Sequence, residues 1–171
     1  MRVSAPGIPA STLPLYSDEA NAFSRENAMS EIREATVKPV DEASATGLVA
    51  EIFADIRKTK GLDFVPRFWR VVATNPTQLD VVWSSLKKLM HPDAVSGESR
   101  LSPAMREMIA VAVSASNGCS YCVNSHTTAL KMHGVDDETI GEVLAIAGLF
   151  NMTNALADGY QIEPDVLPPL D

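Results

Sequence analysis

Both cysteines of this 171-residue chain fall in one short run, Gly118-Cys119-Ser120-Tyr121-Cys122-Val123-Asn124-Ser125-His126. Two thiols at this spacing can close a local disulfide, and an imidazole follows four positions after the second. On a helix, Cys122 and His126 are about 40° apart in projection and share a face, which Cys119 joins if the helix already includes it. The first turn of a helix offers unpaired N–H groups and a partial positive charge, and both favour thiolate over thiol. A thiol of pKa near 8.5 is only about 3% ionised at neutral pH, whereas one near 6.5 is about 75% ionised. A neighbouring imidazole can supply that gain, as base or as cation. The run therefore reads first as a redox-active dithiol rather than a structural bridge.

Glu107 enters the same neighbourhood from the preceding helix. It sits one turn in, on a side that otherwise carries Ala110, Val111 and Ser114. A carboxylate among such residues is either exposed or held for a reason. If the two helices form a hairpin around Asn117-Gly118, a Glu three turns before the bend can meet a His two turns after it. Such a pair would set the imidazole tautomer and pass protons to the thiol. Two rival readings of the cysteines stand beside this one. They can be small buried hydrophobes, or they can bind zinc with His126 and His133. The zinc reading asks one helix for most of a tetrahedron and lacks the usual long Cys-to-His separation.

These residues need helices to position them, and the pattern is helical nearly throughout. Leu48, Val49, Ile52, Phe53 and Ile56 recur at helical spacing between Thr46, a capping residue, and Lys60, with Gly61 to end the helix. Asn75-Pro76 and Ser102-Pro103 each read as an N-cap followed by a first-turn proline. They open helices to about Met90, closed by His91-Pro92, and to about Ser116, broken by Asn117-Gly118. A polar loop from Asp93 to Leu101 lies between them. A new helix starts at or near Cys119 and runs to His133, with Gly134 as its C′ residue. A last long helix begins at Asp136 or Asp137, reaches about Ala157 and ends by Gly159. Asp18 to Val37 reads as a weaker helix behind a Pro-rich extended stretch over 1–16. No segment alternates as a strand, so the expected class is all-α. We divide the chain into an N-terminal arm (1–40), one helical domain (41–160) and an extended tail (161–171).

Composition narrows the field of functions. A chain this long can fill one core, and 46% hydrophobic residues rule out wholesale disorder. A net charge of −8 without a basic run argues against nucleic acid and anionic membranes as partners. Met108 to Val113 reads as the longest apolar stretch and is too short to span a bilayer. The N-terminus has no apolar core of a secretory signal. The expected address is cytoplasmic, where a CxxC is more often catalytic or metal-binding than structural. His133 beside Gly134, and His91 before Pro92, read as residues facing helix C-termini. Phe64, Phe68, Trp69 and Trp83 read as core or subunit interface ahead of a pocket lining.

The spacing Glu107, eleven residues, Cys119, two residues, Cys122, three residues, His126 resembles the core motif of the alkylhydroperoxidase D-like proteins. These belong to the carboxymuconolactone decarboxylase superfamily. Ser102-Pro103-Ala104-Met105-Arg106-Glu107 looks like the family's lead-in, and Phe64-Val65-Pro66 with Ala73-Thr74-Asn75-Pro76 is similar to its peroxidase-related branch. The resemblance covers about residues 46–158. It implies an all-helical homo-oligomer, a trimer or hexamer, that reduces hydroperoxides with its own dithiol and no cofactor. By position, Cys122 would attack the peroxide and pass through a sulfenic acid. Cys119 would resolve it to a disulfide, and His126 and Glu107 would relay the proton. The reductant implied is a dithiol, such as a protein-bound lipoyl group or a thioredoxin-like donor.

Two cues disagree on which thiol attacks. Thioredoxin-like logic activates the first cysteine, whereas Cys122 is i to i+4 from His126 and Cys119 is i to i+7. The direct reach of the histidine decides for Cys122. Tyr121 stands where some members carry a histidine, and a phenol cannot replace imidazole as a base near neutral pH. The alternatives are decarboxylation or isomerisation of a small lactone, which does not depend on a CxxC, and a redox-sensing or zinc-binding interaction module.

Overall fold

The computed structural model describes residues 35–169 and contains, among them, six α-helices and no strand. The helices are α1 (Gly47–Lys60), α2 (Arg67–Val72), α3 (Pro76–Met90), α4 (Pro103–Ser116), α5 (Ser120–Met132) and α6 (Asp137–Gly159), with a 3₁₀ turn at Pro92–Val95. The all-α expectation holds. The helix expected over Asp18–Val37 and the arm before it lie outside the described residues, except that 35–37 are not helical.

The capping signals act as their chemistry requires. Asn75 and Ser102 accept hydrogen bonds from the N–H groups of Gln78 and Met105, each ahead of a first-turn proline. Asp136 accepts from Thr139 N–H at 2.7 Å, so the last helix starts at Asp137. Thr46 occupies the N-cap position of α1 without a side-chain bond. Ser96, in the expected polar loop, takes a left-handed φ of 56° just after the 3₁₀ turn. The short helix α2 lies between the expected helices, where no capping signal announces it: Pro66 is its N-cap and makes no side-chain bond.

Two buried clusters organise the packing. Phe53 and Ile56 of α1, Trp69 of α2, and Leu79 and Trp83 of α3 form the first. The Trp69 and Trp83 rings meet edge to face at 5.1 Å, a geometry that satisfies the ring quadrupoles. Val111 of α4, Leu130 of α5 and Ile140 of α6 form the second. Between α4 and α5 the chain reverses at Gly118, whose φ of 69° suits a residue without Cβ. The N–H of Cys119 then returns to Ser114 O at 2.9 Å. This tight reversal lays α5 against α4 and brings their faces together. Glu42 ties the front of the molecule, accepting from Val65 N–H at 3.0 Å and from Arg57 at 3.2 Å.

The outer helix corrects one expectation. Val143 to Phe150 is an apolar run longer than Met108–Val113, and α6 as a whole is long and apolar enough, by length and composition, to cross a membrane. Little of it is buried: Ile146, Leu149 and Phe150 are about half exposed. Gly148 and the small alanines dilute the run, so it stands out less than its length warrants. Helical rotation nevertheless brings its large residues onto outward surfaces.

Candidate functional site

The site grows out of the α4–α5 hairpin. Cys119 is the N-cap of α5, and its Sγ accepts the Cys122 N–H at 3.3 Å. A sulfur in that position takes one of the orphan donors of the first helical turn, an arrangement that favours negative charge on sulfur. The two cysteines are joined as a disulfide with Cα atoms 5.3 Å apart. Both are partly buried. The spacing thus does what its chemistry allowed, closing a loop across the first turn of the helix.

His126 lies one turn beyond Cys122. Its Nδ1 is 2.6 Å from Oε2 of Glu107, which α4 presents to it across the hairpin. A carboxylate oxygen accepts, so the hydrogen sits on Nδ1 and leaves Nε2 as the basic nitrogen. Glu107 is 92% buried, with only 8% of its surface exposed. Burying a carboxylate is costly unless it is paired, and the imidazole is its partner. Of the two options the sequence left for Glu107, exposed or held, the fold realises the second. The α4–α5 hairpin thus holds two bonded pairs, Glu107 with His126 and Cys119 with Cys122, and His126 follows Cys122 by one turn of α5.

Tyr121 belongs to neither pair. Its hydroxyl accepts the Phe68 N–H at 3.3 Å and its ring lies 6.1 Å from the Phe68 ring. It links α5 to the start of α2. The aromatic residues divide accordingly: Trp69 and Trp83 are core, whereas Phe64 and Phe68 are exposed and Phe64 lines a cavity.

That cavity, of about 850 Å³, adjoins the Glu107–His126 pair through Glu107. Glu107 and Tyr121 contribute to its wall, as do Lys60, His91, Arg106 and His133. His91 and His133 do sit at the C-terminal ends of α3 and α5. Sequence reasoning missed that both also border one cavity, together with Lys60 and Arg106. One signal was available: Arg106 lies near the start of α4, where the helix dipole disfavours a cation. Burial pushes the Lys60 ammonium below the usual lysine range, with Glu107 opposing. It likewise pushes the His91 imidazole down, helped by the charge of Lys60. Among the described residues, no three His, Cys, Asp or Glu side chains converge as metal ligands.

Comparison with known proteins follows the same lines. Residues 88–162 match the carboxymuconolactone decarboxylase family. The chain is 30% identical over 109 residues to an alkyl hydroperoxide reductase of Mycobacterium tuberculosis, a match covering 64% of this chain and 29% of the relative. It is 42% identical over 56 residues to the alkyl hydroperoxide reductase AhpD of Streptomyces coelicolor, over 33% of this chain and 32% of that one. The chain thus spans less than a third of the length of these relatives. The crystal structure of an alkylhydroperoxidase AhpD core from Rhodospirillum rubrum superimposes with a TM-score of 0.70 at 44% identity, covering 77% of this chain and 94% of that one. With its all-helical fold and its cysteine pair at a helix start, the chain belongs to the alkylhydroperoxidase D-like proteins of the carboxymuconolactone decarboxylase superfamily.

Proposed function

We propose that this protein is a cofactor-free dithiol peroxidase that reduces organic hydroperoxides in the cytoplasm. The observation that carries the reading is the bond from buried Glu107 to a partly buried His126, one turn from a CxxC at a helix start. In the reduced protein, Nε2 of His126 takes the Cys122 proton. The thiolate attacks the distal oxygen of ROOH, the O–O bond breaks, and the sulfur becomes a sulfenic acid. The alkoxide leaves as ROH with the proton returned by His126. The Cys119 thiol then displaces the hydroxyl from that sulfur, and its proton leaves with the hydroxyl as water, giving the disulfide. A dithiol donor, a lipoyl group or thioredoxin-like protein, restores both thiols and is itself oxidised. Attack by the donor on Cys122 expels Cys119, whose position at the helix N-cap makes it the better leaving group.

The same reading includes self-association as a trimer or hexamer. Its support is the apolar surface that Ile109 and Val113 of α4 and Leu149 and Phe150 of α6 leave exposed.

The test is consumption of cumene hydroperoxide with dihydrolipoamide as donor. Wild type turns over. Cys122→Ser shows only background consumption, and Cys119→Ser stalls after one equivalent with a sulfenic acid that dimedone traps. Full activity in Cys122→Ser would refute the assigned attack, and inactive wild type would refute the class.

A further inference from the structure

The cavity beside the relay pair is built from parts of different character. Phe64, Pro66, Met90 and Met132 give it apolar walls. Three cationic side chains, Lys60, Arg67 and Arg106, line it against two carboxylates, Asp93 and Glu107, and Glu107 is already bonded to His126. Such an accumulation runs against the chain as a whole, whose net charge is −8.

Its polar atoms are also incompletely satisfied. Arg106 is 92% buried, with 8% exposed, and spends Nη1 on Leu101 O at 2.6 Å, but its Nε–H has no partner. Nε2 of His91 is buried and unpartnered as well. Lys60, half-buried on the same wall, makes no ion pair among the described residues. Buried polar groups in folded proteins are nearly always bonded, so two orphaned nitrogens with an unpaired ammonium on the same cavity mark a place for an acceptor.

We propose that this cavity binds an amphipathic organic carboxylate, with its carboxylate on Lys60, Arg106 and His91 and its apolar body along Phe64, Pro66, Met90 and Met132. A carboxylate supplies acceptors to all three nitrogens and neutralises the uncompensated charge. The charge of the same anion counteracts the burial that holds the Lys60 and His91 pKa values down. Resting on the peroxidase reading, the substrate class is then a hydroperoxide that bears a carboxylate remote from the O–O bond. Glu107, bonded to His126, and Tyr121, which stands between the two cysteines in sequence, both line this cavity.

Equilibrium calorimetry with decanoate, 1-decanol and acetate tests the assignment on the wild-type disulfide form. Decanoate should bind about tenfold or more tightly than decanol, and acetate should bind more weakly than decanoate. Lys60→Met should abolish the preference for decanoate over decanol, and Lys60→Arg should retain it. Equal binding of decanoate and decanol, or no binding of decanoate, would overturn the proposal without any variant. An undiminished preference in a folded Lys60→Met would also overturn it. Cumene hydroperoxide turnover is measured alongside. Turnover without decanoate binding defeats the cavity assignment alone, and decanoate binding without turnover defeats the peroxidase reading while leaving the cavity assignment in place.

Discussion

At the scale of single residues, the decisive contact is the 2.6 Å hydrogen bond between Glu107 and His126. Glu107→Gln keeps the shape of the side chain but removes the negative charge that stabilises an imidazolium. The rate of disulfide formation by peroxide should fall by about 10²-fold, the lower end of general acid–base contributions, with the donor half-reaction less affected. Stopped-flow oxidation of the reduced protein measures this, and an unchanged rate would remove Glu107 from the relay. His91 offers a separate prediction about stability. Its folded pKa is held below the usual value of 6.5 by burial and by Lys60. The unfolded chain therefore binds more protons as pH falls through that range, so stability is full above about pH 6.5 and declines below it. His91→Gln should flatten that decline. Urea midpoints at about pH 7.5 and pH 5.5 would reveal it, and parallel declines in both proteins would refute it.

At the scale of elements, the apolar α1–α3 contact is joined by one polar cluster at the margin of the aromatic core. Asp55 of α1 accepts from Trp83 Nε1 at 2.7 Å and pairs with Lys87 at 2.8 Å, both from α3. Desolvation works to raise its pKa, but the bonds from Lys87 and Trp83 outweigh it and hold the carboxyl low. Asp55→Ala leaves the Trp83 N–H without its acceptor, and should cost about 1–3 kcal/mol. Chemical denaturation checks this, and a loss well below that range would mean water replaces the carboxylate. Because α1 ends at Lys60 on the cavity wall, the same contact helps to position that residue.

At the scale of the whole molecule, α4 and α6 turn large side chains outward. Ile109, Val113, Leu149 and Phe150 are all more than half exposed, with Phe150 at 58%. Isolated surface apolar residues are ordinary, but a continuous face of them is a docking surface. Sedimentation at micromolar concentration should give a multiple of 18.4 kDa for the wild type. Phe150→Lys, which places a charge in the face, should shift it toward monomer. A monomeric wild type would defeat the oligomer and leave α6 to be explained by another partner.

Much of this could be read along the chain. Proline after a capping residue at Asn75 and Ser102, and glycine at 61 and 134, mark helix ends through interactions that span only a few residues. The CxxC-to-His spacing is equally local, because a helix places i and i+4 on one face whatever surrounds it. Glu107 was legible only conditionally, since its meeting with His126 needed the reversal at Gly118. The sequence by itself therefore determined five of the six described helices, the dithiol and its local imidazole. Only the tertiary structure decided that Lys60, His91 and Arg106, from three separate helices or their ends, border one cavity. No periodicity records that convergence. It depends on how helices pack, and packing also leaves the Nε of Arg106 and Nε2 of His91 buried without a partner.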